Sequence, residues 1–139
     1  MQVTIKSEQE LNYESKGACS FDFKASQAFI IPAHQVVMVD TWTVIQVPEW
    51  YMLQTAARSS TFKKLWLILV NSIWIIDNDY CGNNDTIKFQ YLNMSDEMVI
   101  ISEWDRIWQW VFVKIEKAEF QYVKDMNKED RGWFWTTWL

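Results

Sequence analysis

Short segments rich in β-branched and aromatic residues run along most of this chain. Such segments are typical of strands, because branched and aromatic side chains pack well on a pleated sheet. Turn-forming residues separate the segments at short intervals, which favours a sandwich or barrel over alternating β and α units. The sequence therefore predicts an all-β domain, with strands at residues 36–39, 43–47, 51–54, 86–92 and 111–115.

One short helix is predicted over residues 60–65. Ser59 or Ser60 can cap its first turn, and two lysines lie in its last turn, where cations complement the helix dipole. A glycine in a left-handed conformation commonly ends such a helix. Trp66 occupies that position here.

Glycine is scarce throughout a chain that needs many turns. Pro48 suits the second position of a turn whose last position favours glycine, and that last position holds Trp50. A non-glycine residue forced into the left-handed region costs roughly 1–2 kcal/mol. The three glycines are Gly17, Gly82 and Gly132.

Length and charge limit the kind of protein. The 139 residues suit one domain, and a formal net charge of −5 argues against nonspecific nucleic-acid binding. The longest apolar stretch, residues 65–76, is broken by polar residues and falls short of the roughly 20 residues that span a membrane. We expect no nucleic-acid or membrane partner. Because no export signal is recognisable, we expect the cytoplasm or, for a viral protein, the host-cell interior.

The end of the chain differs from the rest in composition. Residues 116–122 predict a last strand, and residues 124–131 are polar with mixed charge, as in a connector. We expect a single β domain over residues 1–123 and a flexible tail over residues 124–139.

Two segments carry residues suited to binding chemistry. Arg58 followed by two serines suits phosphate binding, because a planar guanidinium binds phosphate bidentately and the N–H groups at a helix start add donors. The alternative is that Arg58 forms a surface salt bridge beside a capping serine. Asp77, Asn78 and Asp79 superficially suggest a calcium loop, but the offsets of an EF-hand are not met, and a solvated turn is the alternative. His34 has no second histidine or nearby cysteine, which argues against zinc.

Five segments together, in this order, resemble the motifs of the homotrimeric deoxyuridine triphosphatases (dUTPases). They are residues 18–25, Ala57-Arg58-Ser59-Ser60, residues 71–82 with Ile76-Asp77-Asn78-Asp79-Tyr80-Cys81-Gly82, Trp104-Asp105-Arg106-Ile107-Trp108-Gln109, and residues 131–138. The resemblance implies a β-barrel or jelly roll that hydrolyses dUTP to dUMP and pyrophosphate with Mg²⁺. It also implies a homotrimer with shared active sites, over which the tail closes.

The resemblance implies roles for individual residues. Asp77 would orient the attacking water, which a positioned carboxylate can do. Asn71 would bind the base edge, with Ile76 also contacting substrate, and Tyr80 would lie against the sugar where a 2′-hydroxyl would go. The residues that would contact phosphate are Arg58, Ser59, Ser60, Arg131, Thr136 and Thr137, and Gln109 would contact phosphate or water.

Two further roles follow from the same resemblance. Phe134 would stack on the uracil, and Asp22 would lie in the outer shell of Mg²⁺. Asp105 and Arg106 would be mainly structural.

The resemblance also places tryptophan where the family usually carries glycine. An indole at Trp74 would stand where the backbone approaches the nucleotide closely, and Trp108 and Trp110 would otherwise suggest a strand surface or interface. A protein of this fold that binds nucleotide or a partner without catalysis is therefore an alternative, and a dCTP deaminase is another. The tryptophans are Trp42, Trp50, Trp66, Trp74, Trp104, Trp108, Trp110, Trp133, Trp135 and Trp138.

Overall fold

The structure is a computed structural model that describes residues 1–132. Its described part is built of strands with one short helix, α1 (Thr61–Leu65), which confirms the all-β class. The strands are β1 (Thr4–Lys6), β2 (Phe21–Lys24), β3 (Phe29–Ile31), β4 (Val36–Asp40), β5 (Val44–Gln46), β6 (Tyr51–Ala57), β7 (Leu67–Leu69), β8 (Ile73–Ile76), β9 (Lys88–Asn93), β10 (Val99–Ile101) and β11 (Arg106–Lys114).

Two antiparallel sheets form the body of the domain. One has the strand order β2-β11-β6-β8 and the other β4-β9-β7, and two strand pairs, β1-β5 and β10-β3, complete the described topology. Burial alternates along β9, so its inward side chains contact those of β11 in the other sheet. The ring of Phe89 lies 4.8 Å from that of Trp108, centroid to centroid. The two sheets thus pack as a sandwich around an aromatic core.

Trp108 and Trp110 form the centre of that core. Both are completely buried, so a surface or interface position for them is wrong. The ring of Trp110 stacks on Phe23 with centroids 4.7 Å apart. Nearby, the Tyr91 hydroxyl donates to the Ile107 carbonyl at 2.9 Å, and burial raises the pKa of that phenol. The tryptophans supply apolar area to the core that glycines at these positions could not.

Four tryptophans occupy left-handed backbone conformations. Trp66 ends α1 with φ 54° and ψ 28°, and its N–H donates to the Phe62 carbonyl, which confirms the predicted helix end. Trp50 has φ 66°, although the hydrogen bond from Tyr51 N to Pro48 O makes it the third residue of its turn rather than the last. Trp42 and Trp104 have φ 53° and 70°. Each position imposes the strain that glycine would avoid.

The predicted strand at residues 116–122 is wrong. β11 ends at Lys114, and residues 115–132 form no strand. The side chains of Phe120 and Tyr122 are largely exposed, so this segment has neither a sheet edge nor a core surface to pair with in the described chain. Strand propensity is expressed only where a partner strand supplies hydrogen bonds.

Other predicted elements occur with shifted bounds, and the sequence left several short strands unassigned. β3, β7 and β10 are three residues long, too short for an alternating pattern to be distinctive. Within residues 1–132, no helix has the length and apolar character needed to cross a membrane.

Candidate active site

Arg58 lies directly after β6 and faces a carboxylate on β2. Its Nε donates to Asp22 Oδ1 at 3.1 Å, and its Nη2 lies 3.1 Å from Asp22 Oδ2, so the guanidinium group faces both carboxylate oxygens. Its Nη1 donates to the Arg106 carbonyl at 3.1 Å. Three of the five guanidinium N–H groups are thus engaged, and two remain for a ligand.

Gln109 stands next to this pair. It is the Cα partner of Asp22 in the β2–β11 ladder, so the two side chains share one face of the sheet. Its Nε2 donates to the Ala57 carbonyl at 3.1 Å, and its Oε1 accepts from the Ser20 hydroxyl at 3.3 Å. Both contacts hold the amide beside Asp22.

Arg106 belongs to the same cluster, although the resemblance implies a mainly structural role for it. Its Nη1 lies 2.9 Å from Glu14 Oε1 and 3.5 Å from Asp22 Oδ2. With Arg58 it brings two cations to one corner of the domain. The two guanidinium groups are paired with two carboxylates, Asp22 and Glu14, and Glu14 is the more exposed of the two, with 53% of its side chain accessible against 14% for Asp22.

The serines of the same motif lie at the start of α1. Ser60 occupies the N-cap position, as predicted, but its side chain makes no capping hydrogen bond, and Ser59 is exposed. Ser60 lines a small cavity of about 150 Å³ together with Arg106. Ser60 therefore lies on the side of the domain that carries Arg106.

The second group of predicted residues lines a cavity at the end of β8. Ile76, Asp77 and Tyr80 contribute to a space of about 310 Å³, together with apolar side chains of neighbouring strands. The complete lining is Met38, Trp74, Ile75, Ile76, Asp77, Tyr80, Ile87 and Lys88. An apolar space with a carboxylate and a phenol at its edge suits a planar group joined to a polar one.

Trp74 forms part of this cavity wall. Its Nε1 donates to the Val70 carbonyl at 2.7 Å, and its ring meets Phe89 edge to face at 6.3 Å. The indole is thereby fixed in place, and it reduces the volume next to Asp77 without closing the cavity.

Asn71 is not part of the cavity lining. It lies in the tight turn between β7 and β8 with φ 73°, and its carbonyl accepts from the Ile73 N–H. Arg131 is exposed near the end of the described chain. The predicted contacts of Phe134, Thr136 and Thr137 lie outside the described residues.

The two groups lie at opposite ends of the paired strands β6 and β8. Leu53 pairs with Ile76, so Asp77 lies near Met52, six residues before Arg58. At about 3.3 Å per residue, Asp77 and Arg58 of one chain are roughly 20 Å apart. Arg58 does not line the cavity that Asp77 borders.

Comparison with known proteins decides the family. Residues 7–133 match the family model dUTPase. The chain belongs to the dUTPase family. It is similar to the deoxyuridine 5′-triphosphate nucleotidohydrolase of Finegoldia magna, with 36% identity over 80 residues that cover 58% of this chain and 54% of the relative. The enzyme of the same name from Lactococcus lactis is 37% identical over 84 residues, which cover 58% of this chain and 55% of the relative. The matched region thus spans about half the length of these curated relatives.

Solved structures confirm the dUTPase jelly-roll fold. The dUTPase of Streptococcus mutans superposes with a TM-score of 0.77 at 26% identity, covering 86% of this chain and 100% of that one. The dUTPase of Staphylococcus bacteriophage 80alpha superposes with a TM-score of 0.81 at 16% identity, covering 91% of this chain and 99% of that one.

Proposed function

We propose that this dUTPase-family chain hydrolyses dUTP to dUMP and pyrophosphate. The observation that carries the proposal is the cavity at the end of β8, where Asp77 and Tyr80 border an apolar space. Family membership makes that space the proposed nucleoside site. The cytoplasm, or the host-cell interior for a viral protein, is the proposed compartment.

Asp77 is the proposed catalytic residue. Its carboxylate is exposed at the cavity edge, where it can accept a hydrogen bond from a water and orient it toward phosphorus. Hydrolysis of a phosphoanhydride depends on positioning and on charge compensation more than on a strong nucleophile. The base would occupy the apolar part of the cavity, with Tyr80 against the sugar and Ile76 beneath.

The cluster around Arg58 is the proposed phosphate site. Arg58 keeps two N–H groups available, Ser60 keeps its hydroxyl, and Gln109 is held beside Asp22. Ser59 at the start of α1 would add a further hydroxyl donor. The Asp22 carboxylate holds Arg58 in the orientation that phosphate binding needs.

A magnesium ion is proposed to arrive with the substrate. Within residues 1–132, no group of three or more His, Cys, Asp or Glu side chains is arranged to hold a metal. Mg²⁺ is commonly held by substrate phosphates and waters plus one or two carboxylates, where it neutralises phosphate charge. Both Asp22 oxygens lie against arginine nitrogens, so Asp22 would act on the ion only by accepting a hydrogen bond from one of its waters. Coordination of a structural Mg(II) ion is described for a mutant dUTPase of phage phi11.

The active site is proposed to be shared between copies in a homotrimer. Asp77 and Arg58 of one chain lie roughly 20 Å apart, too far for one nucleotide to contact both through its base and phosphates in a compact pose. Apposition of two copies brings the nucleoside cavity of one beside the phosphate cluster of another. The tail beyond residue 124, with Arg131, Phe134, Thr136 and Thr137, would close over the bound nucleotide.

Replacing Asp77 by Asn tests the mechanism. We expect release of pyrophosphate from dUTP with Mg²⁺ to fall by at least about 100-fold, because the neutral amide can still accept a hydrogen bond but cannot take a proton from the water. Affinity for α,β-imido-dUTP should change little. Asp79→Asn is the matched control, since Asp79 lies in the same turn but does not line the cavity.

Parental turnover in the Asp77→Asn variant would contradict the proposed mechanism. The fixed indole of Trp74 in the cavity wall favours one other function, nucleotide binding without hydrolysis. That alternative is supported if the parent protein binds the imido analogue and releases no pyrophosphate.

A further inference from the structure

The Tyr80 hydroxyl is tied to a residue outside the turn that carries it. Tyr80 Oη donates to the Thr86 carbonyl at 3.2 Å. Thr86 follows a turn closed by two hydrogen bonds between Gly82 and Asp85, one from Asp85 N to Gly82 O and one from Gly82 N to Asp85 Oδ2. The orientation of the phenol therefore depends on where Thr86 is held.

Thr86 is held by an ion pair between β4 and β9. Lys88 Nζ donates to Thr86 Oγ1 at 2.8 Å and to the Thr86 carbonyl at 3.4 Å. Thr86 Oγ1 in turn donates to Asp40 Oδ2 at 2.8 Å. Lys88 Nζ lies 3.0 Å from Asp40 Oδ2, and the two residues are Cα partners in the β4–β9 ladder. The Thr86 carbonyl thus accepts from both Tyr80 and Lys88.

Asp40 is itself fixed by the backbone. Its Oδ1 accepts from the Trp42 N–H at 2.8 Å, so both carboxylate oxygens are engaged. Burial opposes ionisation of this carboxyl, but the hydrogen bonds from Trp42, Lys88 and Thr86 outweigh burial and lower its pKa. Asp40 is therefore charged at neutral pH, and the ion pair with Lys88 is intact.

The ion pair forms the wall between two cavities. Lys88 lines the nucleoside cavity together with Asp77 and Tyr80. Asp40, Thr86 and Lys88 also line a larger polar cleft of about 710 Å³ on the other side. The side chains are half-buried, with 22% of Asp40 and 39% of Lys88 exposed, which makes the pair less screened than one on the surface.

We propose that Asp40 and Lys88 are positioning residues that, through Thr86, hold the Tyr80 ring at the nucleoside cavity and thereby set the preference for deoxyribose over ribose. This inference rests on the proposed function, in which Tyr80 lies against the sugar. A ring tethered by its hydroxyl keeps its distance from the sugar constant and leaves no room for a 2′-hydroxyl. Release of the Thr86 carbonyl lets the ring withdraw, and the added hydroxyl is then tolerated.

The test is the ratio of kcat/KM for UTP to that for dUTP. In Asp40→Asn this ratio should rise about tenfold, because the lost tether affects ribose exclusion more than the binding shared by both substrates. Lys88→Met should give the same rise, and Asp40→Glu should restore part of the discrimination. Glu8→Gln is the matched control, since it neutralises a carboxylate lining the same cleft outside this network, and its ratio should equal the parent's.

A structural role alone predicts a different result. If Asp40→Asn lowers both kcat/KM values together and leaves their ratio within twofold of the parent's, the proposal is overturned. Melting temperatures of the variants separate this outcome from incomplete folding.

A second readout does not depend on turnover. In protein labelled with 3-fluorotyrosine, the ¹⁹F resonance that disappears in Tyr80→Phe should shift in Asp40→Asn and keep its position in Glu8→Gln. An unmoved resonance overturns the positioning role. If the parent protein hydrolyses neither dUTP nor UTP, the proposed function is refuted but the positioning role is not, because the ¹⁹F resonance still reports whether Asp40 controls Tyr80.

Discussion

At the scale of single residues, the aromatic core leaves several buried polar atoms without hydrogen bonds, which lowers the stability of the fold. Trp108 Nε1, Trp110 Nε1 and Thr55 Oγ1 are buried and have no hydrogen-bond partner among the described residues. Thr55 is the Cα partner of both Trp74 and Trp110, so its side chain stands between two indoles. A buried hydroxyl without a partner costs roughly 1–3 kcal/mol.

Replacing Thr55 by Val should therefore stabilise the protein by roughly 1 kcal/mol, because the methyl group needs no hydrogen bond. Thr61→Val is the matched control. Thr61 is also buried, but its hydroxyl donates to the Ile107 carbonyl at 3.2 Å, so its loss should destabilise by about 1 kcal/mol. Urea unfolding measures the change in the free energy of unfolding for both variants. A Thr55→Val variant that is less stable than the parent would contradict the expected stabilisation.

At the scale of elements, α1 shows how a sequence can specify an element and still end it with an unfavourable residue. The capping position and the lysines of the last turn agree with the structure, and Trp66 adopts the left-handed conformation that glycine favours. The ring of Phe62 meets that of Trp66 edge to face at 5.3 Å, which offsets part of the strain.

Two substitutions at Trp66 separate the strain from the ring contact. Trp66→Ala removes the indole and keeps the Cβ atom, whereas Trp66→Gly removes both. We expect the glycine variant to be more stable than the alanine variant by about 1 kcal/mol, since only glycine adopts φ 54° without cost. Thermal unfolding of the two variants gives the difference, and equal stability would show that the backbone there is not strained.

At the scale of the whole molecule, the distance between Asp77 and Arg58 makes a shared active site testable. Asp77→Asn and Arg58→Gln should each be inactive alone. If one site takes Asp77 from one copy and Arg58 from another, trimers assembled from an equal mixture should regain activity in about a quarter of their sites.

Co-refolding the two variants and measuring pyrophosphate release checks this expectation. Unmixed variants refolded separately and combined afterwards are the control. A mixture as inactive as the separate variants would show that each site draws both residues from the same copy.

The sequence by itself determined the fold class, the helix and the motifs, because these depend on local propensity and on residue identity at fixed spacing. The left-handed position of Trp66 could be predicted for the same reason. A strand at residues 116–122 could not be judged locally, since strand formation requires a partner that the described chain does not offer there.

Only the tertiary structure decided which candidate residues meet. Sequence spacing did not show that Arg106 joins Arg58 at Asp22, or that Asp77 lies at the far end of the strands from both. Burial of Trp108 and the link from Asp40 to Tyr80 likewise arise from strand register and sheet packing. These contacts join residues distant in the chain, so their energies appear only once the sheets have assembled.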